Sequence, residues 1–417
     1  MKIYHGNVVY SKSADELQEF SNCYIAVENG VVEGIYEELP DKFKGATVTD
    51  FGDDVIIPAF SDLHVHAPQY PNRGLAMDEL LSDWLFLHTF PLEAKYKDID
   101  FARTVYDEFV DDLIEHGTMH LSIFGTIHNE ATGYLVEKLE AKGIRAYVGR
   151  VNMDENSPDY LCETVDESLK GTEEFLAKYA NNKYAKPIIT PRFAPTCSEK
   201  LLAGLGKLAG KYGVGVQTHV VESKWEAAEA KRRFPNCSCD TEIYEKTGLL
   251  GHGQAIAAHF MYPSADDVSI LKKYNGVAVQ CPDATISIIA GIMPTARLQN
   301  EGVKVAIGTD LSAGHSLGVY SQAARAVQLS KIKGLYEPEN SGAISFARAF
   351  YMATKQGGEV FGNVGSLEKG YSFDALVIGG VEKEFEKLSP AQIVERFCYL
   401  GETKHIKARF LAGTKIG

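Results

Sequence analysis

No apolar run of about 18 residues, the length a bilayer-spanning helix needs, occurs in this 417-residue chain. Residues 1–16, MKIYHGNVVYSKSADE, lack an apolar core of signal-peptide length, so the expected location is the cytoplasm. Basic residues are in deficit: 42 Lys and Arg stand against 56 Asp and Glu, a net charge of −14. That balance argues against nucleic-acid phosphate or an anionic membrane as the main partner. Cysteine is sparse, odd in number (7) and scattered, which suits reduced thiols better than a disulfide framework. Cys237-Ser-Cys239 is a close pair, but no second Cys or His pair lies near it in sequence to complete a metal site. Internal repeats and low-complexity segments are lacking too.

What is present is a chain long enough for a large core, with 45% hydrophobic and 24% charged residues, ordinary for a globular protein. Residues 1 to about 55 read as short strands, with Asn29-Gly30 as a hairpin turn. From there the pattern changes to strand, helix, strand, helix. Strands are expected at the His64 stretch and at 119–125, 144–151, 187–193, 214–219, 255–259, 277–281 and 303–310. Helices are expected at 101–116, 163–179, 198–212, 224–234 and 265–274. Eight such units can close into a (β/α)₈ TIM-like barrel, an α/β fold; a doubly wound open sheet is the alternative that strand count leaves standing. Beyond Gly370 the chain returns to strand character. The expected division is therefore a barrel over 59–369 and a small β-sandwich module built from 1–58 and 370–417.

In a barrel the C-terminal strand ends form the active site. Those ends carry His64 and His66, then His219, His259 and Asp310. His64 and His66 are two apart, so a strand turns both to one face. Three or four imidazoles with one carboxylate suit a catalytic metal that keeps a position for water. Glu222, three residues past His219, can swing over that metal; it is also suited to the N-terminus of the following helix, where the dipole favours a carboxylate. Lys186 precedes Pro187, outside the expected strand, so no lysine bridge for a second metal is expected. Asp62 shares the histidine face as a supporting group, and His315 lies in a loop within reach of substrate.

These residues resemble the amidohydrolase superfamily. The longer stretches His64-Val-His-Ala-Pro-Gln-Tyr-Pro-Asn-Arg-Gly74, Asp83-Trp-Leu, Thr89-Phe-Pro-Leu-Glu-Ala-Lys-Tyr96, Thr190-Pro-Arg-Phe193 and Gly308-Thr-Asp310 resemble its guanine deaminase family. With Phe373-Asp-Ala-Leu and Tyr399-Leu-Gly-Glu, the similarity covers nearly the whole chain. It implies hydrolysis of guanine to xanthine and ammonia in purine salvage or catabolism. It implies one zinc per subunit, with iron as the alternative, held by His64, His66, His219 and Asp310. It assigns catalysis to Glu222, His259 and Asp310, with Glu222 as the proton shuttle. Purine binding falls to Gln69, Arg192, Phe193, His219 and His259, and the expected assembly is a homodimer.

Two positions depart from the family pattern. Asp283 follows Cys281-Pro where an Asn-containing loop is usual, and Phe260 follows His259 where Gly is usual. An aminohydrolase of another ring (8-oxoguanine, a pterin or a triazine) is the second expectation. A non-catalytic scaffold is the third; it would not need the full ligand set.

Overall fold

The computed structural model describes all residues except 80, 339–341, 384 and 417. The first strands are β1 (Lys2–Ser13), β2 (Glu16–Glu28), β3 (Val31–Tyr36) and β4 (Val48–Pro58). The expected hairpin joins β2 to β3: Asn29 and Gly30 both take positive φ, +50° and +81°, the twist a two-residue hairpin loop needs. Gly30 is required for a second reason, because a Cβ there would lie 2.4 Å from the carbonyl oxygen of Ala412. β4 passes through Ala59 straight into β5 (Phe60–His66).

Next come β6 (Thr118–Phe124), β7 (Arg145–Gly149), β8 (Val151–Asn152), β9 (Ala185–Pro187) and β10 (Thr190–Pro191). They are followed by β11 (Val216–Val220), β12 (Ala255–His259), β13 (Val277–Gln280) and β14 (Lys304–Ile307). β5-β6-β7-β9 and β11-β12-β13-β14 form two parallel four-stranded sheets. A parallel bridge between Ile189 and Val216 joins them on one side. On the other, the Asp310 N–H donates to the His64 carbonyl at 2.8 Å and the His66 N–H to that of Leu311 at 3.2 Å. The expected barrel is thus closed, and the seam that closes it carries three of the chemistry-bearing residues.

The expected fourth strand, 187–193, is broken into β9 and β10. Pro187 and Pro191 still pair, with Val148 and Asn152, but without N–H donors they weaken the ladder, and it is interrupted between them at Ile188 and Ile189. Lys186 lies inside β9 rather than ahead of it, and its side chain is exposed.

Helices fill the connections with local signals that agree with the fold. Ser198 and Ser223 cap their helices through their side-chain oxygens, and Thr164 and Ser264 form capping boxes with Glu167 and Asp267. The helix Ile99–Glu115 buries Ala102, Val105, Tyr106, Phe109, Val110 and Leu113 at helical spacing. Its buried face belongs to a core that also takes in Val65, Leu121, Leu135, Leu176, Leu202 and Val216.

The chain ends with β15 (Ala375–Ile378), β16 (Ile406–Leu411) and β17 (Thr414–Ile416). They join the first four strands in one seven-stranded sheet of order β17-β16-β15-β4-β1-β2-β3. A bridge from Val31 to Ser372 brings the β3 end back towards β15. The sheet encloses Tyr4, Val8, Ile25, Ile56, Phe373, Val377 and Phe410 as a core of its own. Buried His120 ties sheet to barrel, its ring nitrogens meeting Ser61 Oγ at 3.0 Å and Asp374 Oδ2 at 3.1 Å.

Candidate active site

Strand ends bring the five expected residues into one cluster. His64 Nε2 lies 3.2 Å from Asp310 Oδ1, His66 Nε2 lies 3.4 Å from the same oxygen, and His66 Nε2 lies 3.2 Å from His219 Nε2. His259 Nε2 stands 3.7 Å from Asp310 Oδ2 and 3.7 Å from Glu222 Oε1. All four imidazoles and Asp310 are buried, while the Glu222 side chain keeps 12% exposure.

These residues fit a metal. Ligands about 2.0–2.1 Å from a tetrahedral ion stand about 3.3 Å from one another, which is the spacing found here. Neither ring nitrogen of His64 or His259 has a hydrogen-bond partner among the described residues, and a buried polar atom left so is costly unless something else meets it. The His219 Nδ1–H donates to the Arg192 carbonyl at 2.5 Å, which leaves Nε2 as the lone pair facing the cluster. Burial, then the neighbouring imidazoles and the Arg192 guanidinium, hold His64, His66 and His219 well below the usual histidine range, in the neutral form a metal takes. Burial raises Asp310 to about 6, against the opposing pull of His259 and Arg192.

The seam beside the cluster is held by Asp62. Its Oδ1 accepts from the backbone N–H groups of Thr309 at 3.0 Å and His64 at 3.2 Å, and its Oδ2 accepts from the Thr309 hydroxyl. Positive φ values gather at the same strand ends: Val221 at +44°, His259 at +71°, Phe260 at +49° and Asp310 at +49°. Such strain persists where surrounding structure over-determines it, as at functional sites.

A second group of expected residues lies together nearby. Gln69 Nε2 donates to Glu93 Oε1 at 2.9 Å, and its Oε1 accepts from the Ser312 N–H at 3.2 Å. Arg192 gives Nη1 to Glu93 Oε2 at 2.8 Å and Nη2 to Glu93 Oε1 at 3.3 Å. The Arg192 guanidinium also sits 5.1 Å over the Phe90 ring. Phe193, half-buried, has its ring 6.3 Å from that of His219 and 6.5 Å from exposed Trp225. His315 is not among these groups; half exposed, it turns to Asp283 at 3.7 Å.

Two residues of the site were not anticipated. Glu93 joins Gln69 to Arg192; its signal was a lone carboxylate in the apolar stretch Phe90-Pro-Leu-Glu. Cys281 places its sulfur with His64 and His259, all within 4.8 Å, and burial pushes its thiol well above the usual range. At the departing positions, Asp283 is engaged by Gln322 at 2.6 Å and Arg325 at 2.9 Å, and Phe260 is packed in the main core.

A closed parallel barrel whose strand ends gather imidazoles and a carboxylate around one point defines a metal-dependent hydrolase. The chain belongs to the amidohydrolase family, whose model matches residues 55–414. Among solved structures it is similar to a guanine deaminase from C. acetobutylicum with guanine bound in the active site, at 41% identity and a TM-score of 0.97, with both chains covered in full (100%). Among curated proteins it is similar to guanine deaminase of Dictyostelium discoideum, 30% identical over 100% of this chain and 98% of the other. The human guanine deaminase is 31% identical over 87% of this chain and 83% of its own.

Proposed function

We propose that the chain is a zinc-dependent guanine deaminase, releasing xanthine and ammonia. The observation that carries the reading is the adjacency of the His64–His66–His219–Asp310 cluster to the Arg192–Glu93–Gln69 group. His64, His66, His219 and Asp310 would hold the metal, as zinc or alternatively iron, one per subunit. Bound zinc supplies a nucleophile at neutral pH by lowering the pKa of water from 15.7 to about 7.

The protein's own groups do the rest. Arg192 is a forked donor with no acceptor, suited to the purine carbonyl and an adjacent acceptor nitrogen. Gln69 both donates and accepts, which suits the ring amide edge. Phe193, with the rings of His219 and His259, supplies faces for a flat ring. His259 and Asp310 orient the attacking water towards purine C2. Glu222, whose pKa burial raises, takes a proton from that water and delivers it to ring N3, making C2 electrophilic. The water's second proton, lost from the new hydroxyl as C2 becomes a carbonyl, passes through Glu222 to the amine and lets ammonia leave.

The familial names and the guanine held by the relative from C. acetobutylicum support this substrate. Asp283 and Phe260 favour no other ring, since one is committed to Gln322 and Arg325 and the other is core. The wider reading is a cytoplasmic homodimer serving purine salvage or catabolism, divided into a barrel over 59–369 and a module from 1–58 and 370–417. No helix among the described residues is long and apolar enough to cross a membrane.

The test is steady-state turnover of zinc-loaded protein with guanine, read as ammonia release, beside adenine and other aminated rings. Turnover of guanine with adenine untouched is expected. Inert guanine with another ring reacting overturns the substrate assignment.

A further inference from the structure

Glu222 leaves the barrel on a strained turn that two other carboxyl groups hold from behind. Val221, a β-branched residue, takes φ of +44° there, a region such residues rarely enter. Its N–H donates to Asp240 Oδ2 at 3.0 Å, and the next N–H, that of Glu222, donates to Glu226 Oε2 at 2.8 Å. Glu226 lies in the first turn of the helix Lys224–Arg233, and Asp240 opens the helix Asp240–Lys246. Both are buried, at 1% and 4% exposure. The other oxygens, Glu226 Oε1 and Asp240 Oδ1, are buried too, and no other described protein group donates to them. Two adjoining buried carboxyl groups cannot both carry charge, and a single proton between them satisfies both of these oxygens.

We propose that Glu226 and Asp240 form one hydrogen-bonded acid pair, sharing a single proton, that positions Glu222 by fixing the backbone N–H groups of residues 221 and 222. The pair touches neither substrate nor metal; it acts through the turn. Burial raises both groups, Glu226 well above the carboxylate range and Asp240 to about 7. The helix Lys224–Arg233 is thereby clamped at its first turn, which keeps the Glu222 carboxyl facing His259.

The inference rests on the reading of Glu222 as proton carrier, and its test separates the two. Zinc-loaded Glu226→Ala, Glu226→Gln, Asp240→Asn and the double variant Glu226→Gln with Asp240→Asn are compared with the parent chain. Glu226→Ala should lower kcat for guanine about 10- to 100-fold, the scale of a misplaced catalytic group, with KM and bound zinc little changed. Glu226→Gln should restore most of that loss, since its amide oxygen accepts from Glu222 and its NH₂ donates to Asp240. Asp240→Asn should be tolerated like Glu226→Gln, its NH₂ donating to an ionised Glu226, whereas the double variant Glu226→Gln with Asp240→Asn should not, because two amide donors then face each other.

Hydrogen exchange of the peptide spanning residues 221 and 222, without substrate, should speed up in Glu226→Ala and stay protected in Glu226→Gln. Should Glu226→Ala fail to fold, the contrast between Glu226→Gln and the double variant carries the test. Equal effects of Glu226→Gln and of the double variant, or unchanged exchange and kcat in Glu226→Ala, overturn the proposal. A parent chain inert towards guanine overturns the substrate reading instead, and the exchange measurement still decides the pair.

Discussion

Glu93 clasps Arg192 through both carboxylate oxygens, at 2.8 and 3.3 Å, and the same Oε1 accepts from Gln69. The pair is almost wholly buried. A buried ion pair adds little net stability, but removing one partner leaves an uncompensated charge and costs about 3–5 kcal/mol. Its use here is to hold a forked cation and an amide in fixed register. Glu93→Gln is therefore expected to destabilise the chain by about 3–5 kcal/mol and to lower kcat/KM for guanine. Denaturant midpoints and steady-state kinetics on the same preparation check both; unchanged kinetics would remove Glu93 from the pocket.

Arg192 has a backbone task as well as a side-chain one, since its carbonyl fixes the His219 tautomer at 2.5 Å. Arg192→Leu keeps the carbonyl and deletes the fork. Losing a hydrogen bond from a charged group costs about 1.5–3 kcal/mol, so kcat/KM for guanine should fall at least about 10-fold. Bound zinc, measured on the same protein, should stay at the parent level. Undiminished guanine turnover refutes the assignment of Arg192 to the purine.

The barrel was legible because its strands announce themselves as β-rich runs, some of them ending in His or Asp as at His66, His219, His259 and Asp310, and because family motifs sit on those ends. His64 and His66 could be put on one face from spacing alone. The fourth strand was harder: it is interrupted at Ile188 and Ile189, between Pro187 and Pro191, and Lys186 falls within the first piece rather than before it. Glu93 could not be joined to Arg192 from sequence, since the partners are 99 residues apart and meet only through tertiary packing. Glu226 and Asp240 were hidden for another reason. In a sequence, a carboxylate in the first turn of a helix reads as a solvated residue favoured by the dipole, and only the fold shows these two to be buried.

Glu222 lies beside His259 and keeps 12% of its side chain exposed, with its N–H held by Glu226. Glu222→Gln preserves the shape and the backbone bond while removing the proton-carrying group. A positioned acid–base group contributes typically about 10²- to 10⁴-fold, so kcat should fall on that scale while bound zinc is retained. Metal analysis and ammonia release on one preparation decide it. Retained turnover would take Glu222 out of the mechanism.

Outside the cluster, His120 and Asp374 form a fully buried pair between barrel and terminal sheet, at 3.1 Å. Burial pushes Asp374 up, but the hydrogen bond and charge of His120, the Ala412 N–H and the Arg145 charge outweigh it, so its pKa is lowered from 3.8. A carboxylate held lower in the folded chain than in the unfolded one stabilises the fold above the unfolded value. That stability is lost as pH falls below about 3.8 and through the lower folded value. Asp374→Asn, which cannot titrate, should be less stable than the parent at neutral pH, with the gap closing over that acid window. Urea unfolding midpoints of both proteins from about pH 7 to about pH 3 measure the difference and cancel the titration the two chains share. A gap that stays constant as the pH falls would show that Asp374 is not the group whose protonation loosens the join between sheet and barrel.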